Sequence, residues 1–72
     1  MVNANLLRGK MVSAGYTQKE LAGALGMSEN TLSAKINGAS SFTLKEVYAI
    51  CSLLSISDFR EKCEIFLPES SQ

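Results

Sequence analysis

No histidine occurs in these 72 residues, and that absence removes the side chain best suited to moving protons near neutral pH. A zinc site would have to come from two cysteines and carboxylates. Cys51 and Cys63 form no Cys-x-x-Cys pair, and each falls in an apolar period of a predicted helix, the pattern of small buried thiols kept reduced. The chain also lacks a phosphate-cradling glycine loop and a pair of carboxylates in a shared apolar setting, so an enzyme is poorly supported and no cofactor or small-molecule substrate is expected. No stretch approaches the roughly 18 to 20 continuous apolar residues of a membrane span. The start MVNANLLRGK lacks the layout of a signal peptide, so the expectation is a cytoplasmic protein with no membrane partner. Sustained strand alternation, internal repeats and a linker are all missing. A single domain over residues 1–67 with a short polar tail at 68–72 is therefore expected. Net charge is zero as well, with seven cations against seven anions.

What is present is helical throughout. Leu6, Leu7, Met11 and Val12 make the inward side of a first helix that leaves through Gly15. From Thr17 the chain reads TQKELAGALGMSENTLSAKING. Thr17 and Glu20 have the Thr-x-x-Glu spacing of a reciprocal capping box, and Leu21, Ala22 and Leu25 then repeat at three- and four-residue steps. Gly26 supplies the positive φ that ends a helix, Met27 pins the bend, and Ser28 caps the next helix. That helix turns Leu32 and Ile36 inward and Glu29, Asn30, Ser33, Ala34 and Lys35 outward, and Asn37 and Gly38 end it. Ala22 marks a crossing too close for a larger side chain. Thr43 and Glu46 repeat the capping box before an apolar face of Leu44, Val47, Ile50, Cys51 and Leu54, with Phe42 placed as a hydrophobic staple or, alternatively, as a surface wedge between bases. Ser55-Ile56-Ser57-Asp58 opens a fifth helix whose inward residues are read as Phe59, Cys63, Phe66 and Leu67, leaving Ile65 off the stripe.

The order Gln18, Leu21, Ala22, Gly26, Ser28, Leu32, Asn37, Gly38 resembles the helix-turn-helix of the phage Cro and repressor family, and the likeness runs on through GASSFT and LKEVYAICSLLSIS to about Phe59. The form Ser-x-x-x-Leu-Ser-x-Lys-Ile-Asn-Gly followed by Phe-Thr-Leu is similar to short single-domain phage and prophage regulators of low-GC Gram-positive hosts. The resemblance implies an all-α, compact, five-helix, lambda-repressor-like DNA-binding domain in a bacterial cell. It further implies a sequence-specific transcriptional regulator that inserts a recognition helix, about residues 28–37, into the major groove of a double-stranded DNA operator.

Carried onto this chain, the resemblance puts Glu29, Asn30, Ser33 and Ala34 at the base-reading positions, and Thr17, Gln18, Lys19, Ser28, Lys35, Asn37 and Ser40 at the DNA backbone. Asn30 could pair with an adenine edge, Glu29 could accept from cytosine, and the Ala34 methyl could pack on thymine. Lys19 and Lys35 could equally be solvated, and Asn37 could simply end its helix. Many members of the family have an apolar residue three positions after the one equivalent to Leu32. Here Lys35 stands there and Ile36 follows, which implies a recognition helix rotated or packed differently, with its base-reading register shifted by up to one position.

Charge is distributed unevenly despite its zero sum. Up to Lys45, five cations face Glu20 and Glu29, a balance of +3, and from Glu46 onward Arg60 and Lys62 face five carboxylates, a balance of −3. The half with the bihelical motif is the one suited to phosphate. A protein-interaction module on the same helical fold without DNA binding is the alternative, favoured by neutral charge and by Glu61, Glu64 and Glu69. Phe59, Ile65, Phe66 and Leu67 exceed what one inward stripe needs, so the C-terminal helix is expected either to hold a homodimer together or to cover the first helix.

Overall fold

Each helix begins at a short polar side chain that accepts a hydrogen bond from the helix's own first turn, satisfying one of the amides that has no carbonyl partner there. The computed structural model describes residues 2–67. Its helices are α1 (Ala4–Ala14), α2 (Gln18–Leu25), α3 (Glu29–Ile36), α4 (Leu44–Leu53) and α5 (Phe59–Phe66), with no strand among the described residues. The caps are Asn3, Thr17, Ser28, Thr43 and Asp58, and the Thr17–Glu20 and Thr43–Glu46 boxes are both closed in each direction. Asn3 was not legible as a cap because the apolar run after it begins only at Leu6. The proposed tail at 68–72 lies outside the described residues.

The helix ends follow equally local rules. Gly26 leaves α2 at φ 75°, where a Cβ would be strained, and its amide bonds back to the last turn. After α3 the positive φ falls on Gly38 at 87°, whereas Asn37 stays right-handed at −83°. Asn37 therefore ends its helix without adopting the left-handed conformation. Ser55 takes φ 57° after α4, so it makes the turn and Asp58 caps α5.

The core is a single cluster in which α2 packs on α3 and α4, and α1 packs on α5. Leu7, Met11, Leu21, Ala22, Leu32, Ile36, Ile50, Cys51, Leu54, Ile56, Ile65 and Phe66 fill it, and no polar side chain is buried there. Several expected core members point outward instead. Leu6, Val12, Leu44, Phe59 and Leu67 are exposed. In α1 only the Leu7–Met11 pair shares the inward line, and each outward neighbour is about 100° round the helix from it. In α5 the inward face is rolled toward Ile65, which is buried at 1% exposure. The cause lies in α1: the Asn3 amide donates to the Ile65 carbonyl at 2.7 Å, and Lys10 pairs with Glu61, so the 61–65 line faces α1 and Phe59 is carried outward. Phe42 is half-buried against the core and meets Phe66 of α5 edge-on, with ring centroids 6.0 Å apart. Cys51 is buried and Cys63 half-buried, both as free thiols. Burial pushes the Cys51 thiol above its ordinary pKa, disfavouring the thiolate.

Ala22, 2% exposed, sits in the α2 face that meets the core. Ala22→Leu is expected to lower stability by about 1 to 3 kcal/mol through overpacking. Chemical denaturation checks this, and an unchanged midpoint would show room at the crossing that the packing does not leave.

Candidate nucleic-acid interface

The α2–α3 unit presents a ridge to solvent because both helices are anchored from behind. In α3, Leu32 and Ile36 are buried, at 0% and 1% exposure. At about 100° per residue, Asn30, Ala34 and Asn37 lie on nearly the opposite side, with Ser33 flanking them. Glu29 and Asn30 are exposed in the first turn, where the helix's unpaired amides also point outward, and Ser33 and Ala34 are half-buried. Asn30, Ser33 and Ala34 thus share one outward surface, while Glu29, about 20° round the helix from Ile36, is exposed at the helix's N-terminal end. The Leu32–Ile36 pair seats the helix with a four-residue step, which leaves Lys35 beside the core rather than in it.

The expected backbone contacts divide into two groups. Thr17, Gln18 and Lys19 lie together at the start of α2, with Thr17 committed to its capping box, Gln18 half-buried at the first helical position and Lys19 exposed. Ser28 caps α3 by accepting from the Thr31 amide, and its hydroxyl donates to Thr31 Oγ1 at 2.9 Å. Ser40 is exposed, with its backbone N–H directed to the Ala34 carbonyl.

Asn37 and Lys35 are engaged within the fold. Arg8 donates through Nη2 to Asn37 Oδ1 at 3.1 Å, and Asn37 Nδ2 reaches Ser33 Oγ at 3.4 Å. Lys35 Nζ donates to Glu46 Oε1 at 2.8 Å and to the Ser41 carbonyl at 3.2 Å. Its side chain is only 13% exposed. Sequence reasoning counted Arg8 merely as a charge. No local pattern says that α1 passes the C-terminal end of α3, so its place in the network could not be read in advance.

Electrostatics are correspondingly mild. Lys10 and Lys35 are neutralised by Glu61 and Glu46, whereas Arg8 and Lys19 have no carboxylate partner among the described residues. The Lys35 ammonium, together with the Thr43 amide, holds the Glu46 carboxyl below its ordinary pKa of 4.5. A carboxylate depressed in the folded state contributes stability that is fully present above 4.5 and is lost as pH falls through the lower folded value. Thermal melting at neutral pH and well below pH 4.5 should therefore show an acid-dependent loss that shrinks in Glu46→Gln. An equal loss in both proteins would remove Glu46 as a source.

A family model described as helix-turn-helix matches residues 7–59, from the core face of α1 to the first residue of α5. The chain belongs to the Cro/C1-type helix-turn-helix family. It is an all-α, five-helix domain of that family, and a DNA-binding helix-turn-helix protein in the general sense. Comparison with curated proteins gave no match, and neither did comparison with solved structures. Within the matched residues, α2 and α3 are the two helices of the helix-turn-helix unit. Among the described residues no helix is long and apolar enough to cross a membrane, and no group of three or more Cys, Asp or Glu side chains is placed to hold a metal ion.

Proposed function

We propose that the protein is a sequence-specific transcriptional regulator, Cro-like or repressor-like, that occupies an operator in double-stranded DNA in the cytoplasm of a bacterial cell. The observation that carries this reading is the outward ridge of Asn30, Ser33 and Ala34, with Glu29 exposed at the N-terminal end, on a helix whose opposite side is locked by Leu32 and Ile36. A helix held this way presents hydrogen-bonding groups to base edges at little further cost in ordering. Gln18 and Lys19 at the start of α2 supply backbone contacts, aided by the amides and dipole of that helix end. Catalysis has no part in this reading. Because the basic surplus is small, affinity for random DNA is modest and tight binding depends on base contacts and on pairing two copies.

The exposed side chains of Leu44, Phe59 and Leu67 border an apolar groove floored by Phe42, Val47 and Phe66, and this face suits self-association. Ile65 takes no part, being core. Phe59→Asp is expected to shift sedimentation toward the monomer while the domain stays folded, since Phe59 is 78% exposed in the single chain. A species unchanged in size would exclude this face.

Fluorescence anisotropy with labelled random duplex at two salt concentrations tests the DNA reading. Binding that weakens as salt rises supports it. No binding at low salt would favour the protein-interaction module, for which the paired cations and exposed apolar groove are the supporting observations.

A further inference from the structure

We propose that Lys35 and Glu46 form a strut that sets the roll of the recognition helix, so that Lys35 is a positioning residue for DNA reading and not a phosphate contact. The inference rests on the DNA reading and adds a part to it. An ammonium has three donor hydrogens. The Lys35 ammonium spends two of them on Glu46 Oε1 at 2.8 Å and the Ser41 carbonyl at 3.2 Å, and it lies 6.0 Å from the Phe42 ring centroid. Glu46 Oε1 also accepts the Thr43 amide at 2.9 Å, so one oxygen ties the last turn of α3 to the first turn of α4. With the two side chains 13% and 24% exposed, water competes poorly for this pair.

Geometry gives the strut its task. Leu32 and Ile36 leave α3 within roughly 40° of each other, so they fix its depth against the core and resist rotation about its own axis less well. Lys35 departs to one side of that pair. On the other side Asn37 is tethered through Arg8 to α1. A helix stayed on both flanks keeps Asn30 and Ala34 aimed at the groove. Loss of the Lys35 side would let the ridge turn, and base contacts depend steeply on placement.

Two substitutions keep the local structure while cutting the ion pair. Lys35→Met retains the apolar stem beside Phe42. Glu46→Gln retains an acceptor for the Thr43 amide, because glutamine also closes a capping box at that position. Both are expected to weaken binding to the preferred duplex by roughly tenfold, by analogy with other residues that orient a contact, while affecting random duplex little. The double variant should lose no more than either single one, since the same link is cut.

Two readouts separate this from a phosphate contact. A lysine on phosphate would, when removed, flatten the dependence of log K on log salt by about one unit per copy. The strut leaves that slope unchanged. Removing the negative charge of Glu46 should by electrostatics alone strengthen DNA binding, whereas the strut requires it to weaken. The proposal is overturned if Lys35→Met flattens the slope and weakens specific and random duplexes alike, or if Glu46→Gln binds as well as the unsubstituted protein or better. If Lys35→Met fails to fold by circular dichroism, Glu46→Gln decides alone. Failure of the unsubstituted protein to bind any duplex sinks the DNA reading instead. Amide chemical shifts of Ser33 to Asn37 in Glu46→Gln then test the strut without DNA: large shifts along the last turn support it, and none overturn it.

Discussion

Leu32→Ala is expected to cost about 2 to 5 kcal/mol, the usual loss for emptying a fully buried leucine site. Leu32 is 0% exposed and anchors α3 beside Ile36. At roughly 0.05 to 0.15 kcal/mol per residue, a domain this short has little stability beyond that loss, so the variant should be largely unfolded or close to it. DNA binding would fall with it. Leu6→Ala is the matched control, because Leu6 is 42% exposed on α1 and truncating it should change stability by about 0.5 kcal/mol or less. Urea denaturation of the two variants distinguishes them, and equal midpoints would mean that the core is not centred where Leu7, Leu21 and Leu32 meet.

The second large effect concerns reading of DNA. Asn30→Ala should cost about 1 to 3 kcal/mol on the preferred duplex and almost nothing on random DNA, relaxing specificity at one base pair in each half-site. Gln18→Ala should weaken binding to all duplexes by similar factors and leave the preferred sequence intact. The contrast follows from placement: Asn30 lies in the exposed first turn of α3, and Gln18 is the first helical residue of α2. Anisotropy titrations on both duplexes at two salt concentrations measure it. Equal losses on both duplexes for both variants would place the recognition helix in the wrong register.

Most of the fold was legible because its signals are local. A capping box, a glycine at positive φ and a four-residue apolar step each act within one turn of helix, and all three appear in α2 and α3 where the residues called for them. What failed was roll. Phe59 and Ile65 exchange their expected places because α1, more than fifty residues away in sequence, fixes α5 through the Asn3 amide and Lys10. Leu6, Val12 and Leu44 were misread for a related reason: apolar side chains next to a stripe extend it on paper, while the packing partner is narrow.

The interface shows the same division. The outward places of Asn30, Ser33 and Ala34 follow from Leu32 and Ile36 alone, whereas Glu29 lies on their side of the helix and is exposed by its place in the first turn. Lys35 does not, since its ammonium is committed to Glu46 across a loop whose path no periodicity reveals. Nor could the Arg8–Asn37 link be read from sequence, because it joins α1 to the end of α3 over 29 residues.

Selection of bound sequences from a random duplex pool tests the central claim most directly. The account predicts enrichment of one short motif in two inverted copies, centred about one helical turn or a multiple of it apart, as a two-fold dimer of recognition helices requires. The same selection with Asn30→Ala should relax one position in each copy. A pool that emerges unenriched, under salt conditions where the protein is folded and binds DNA, would contradict it.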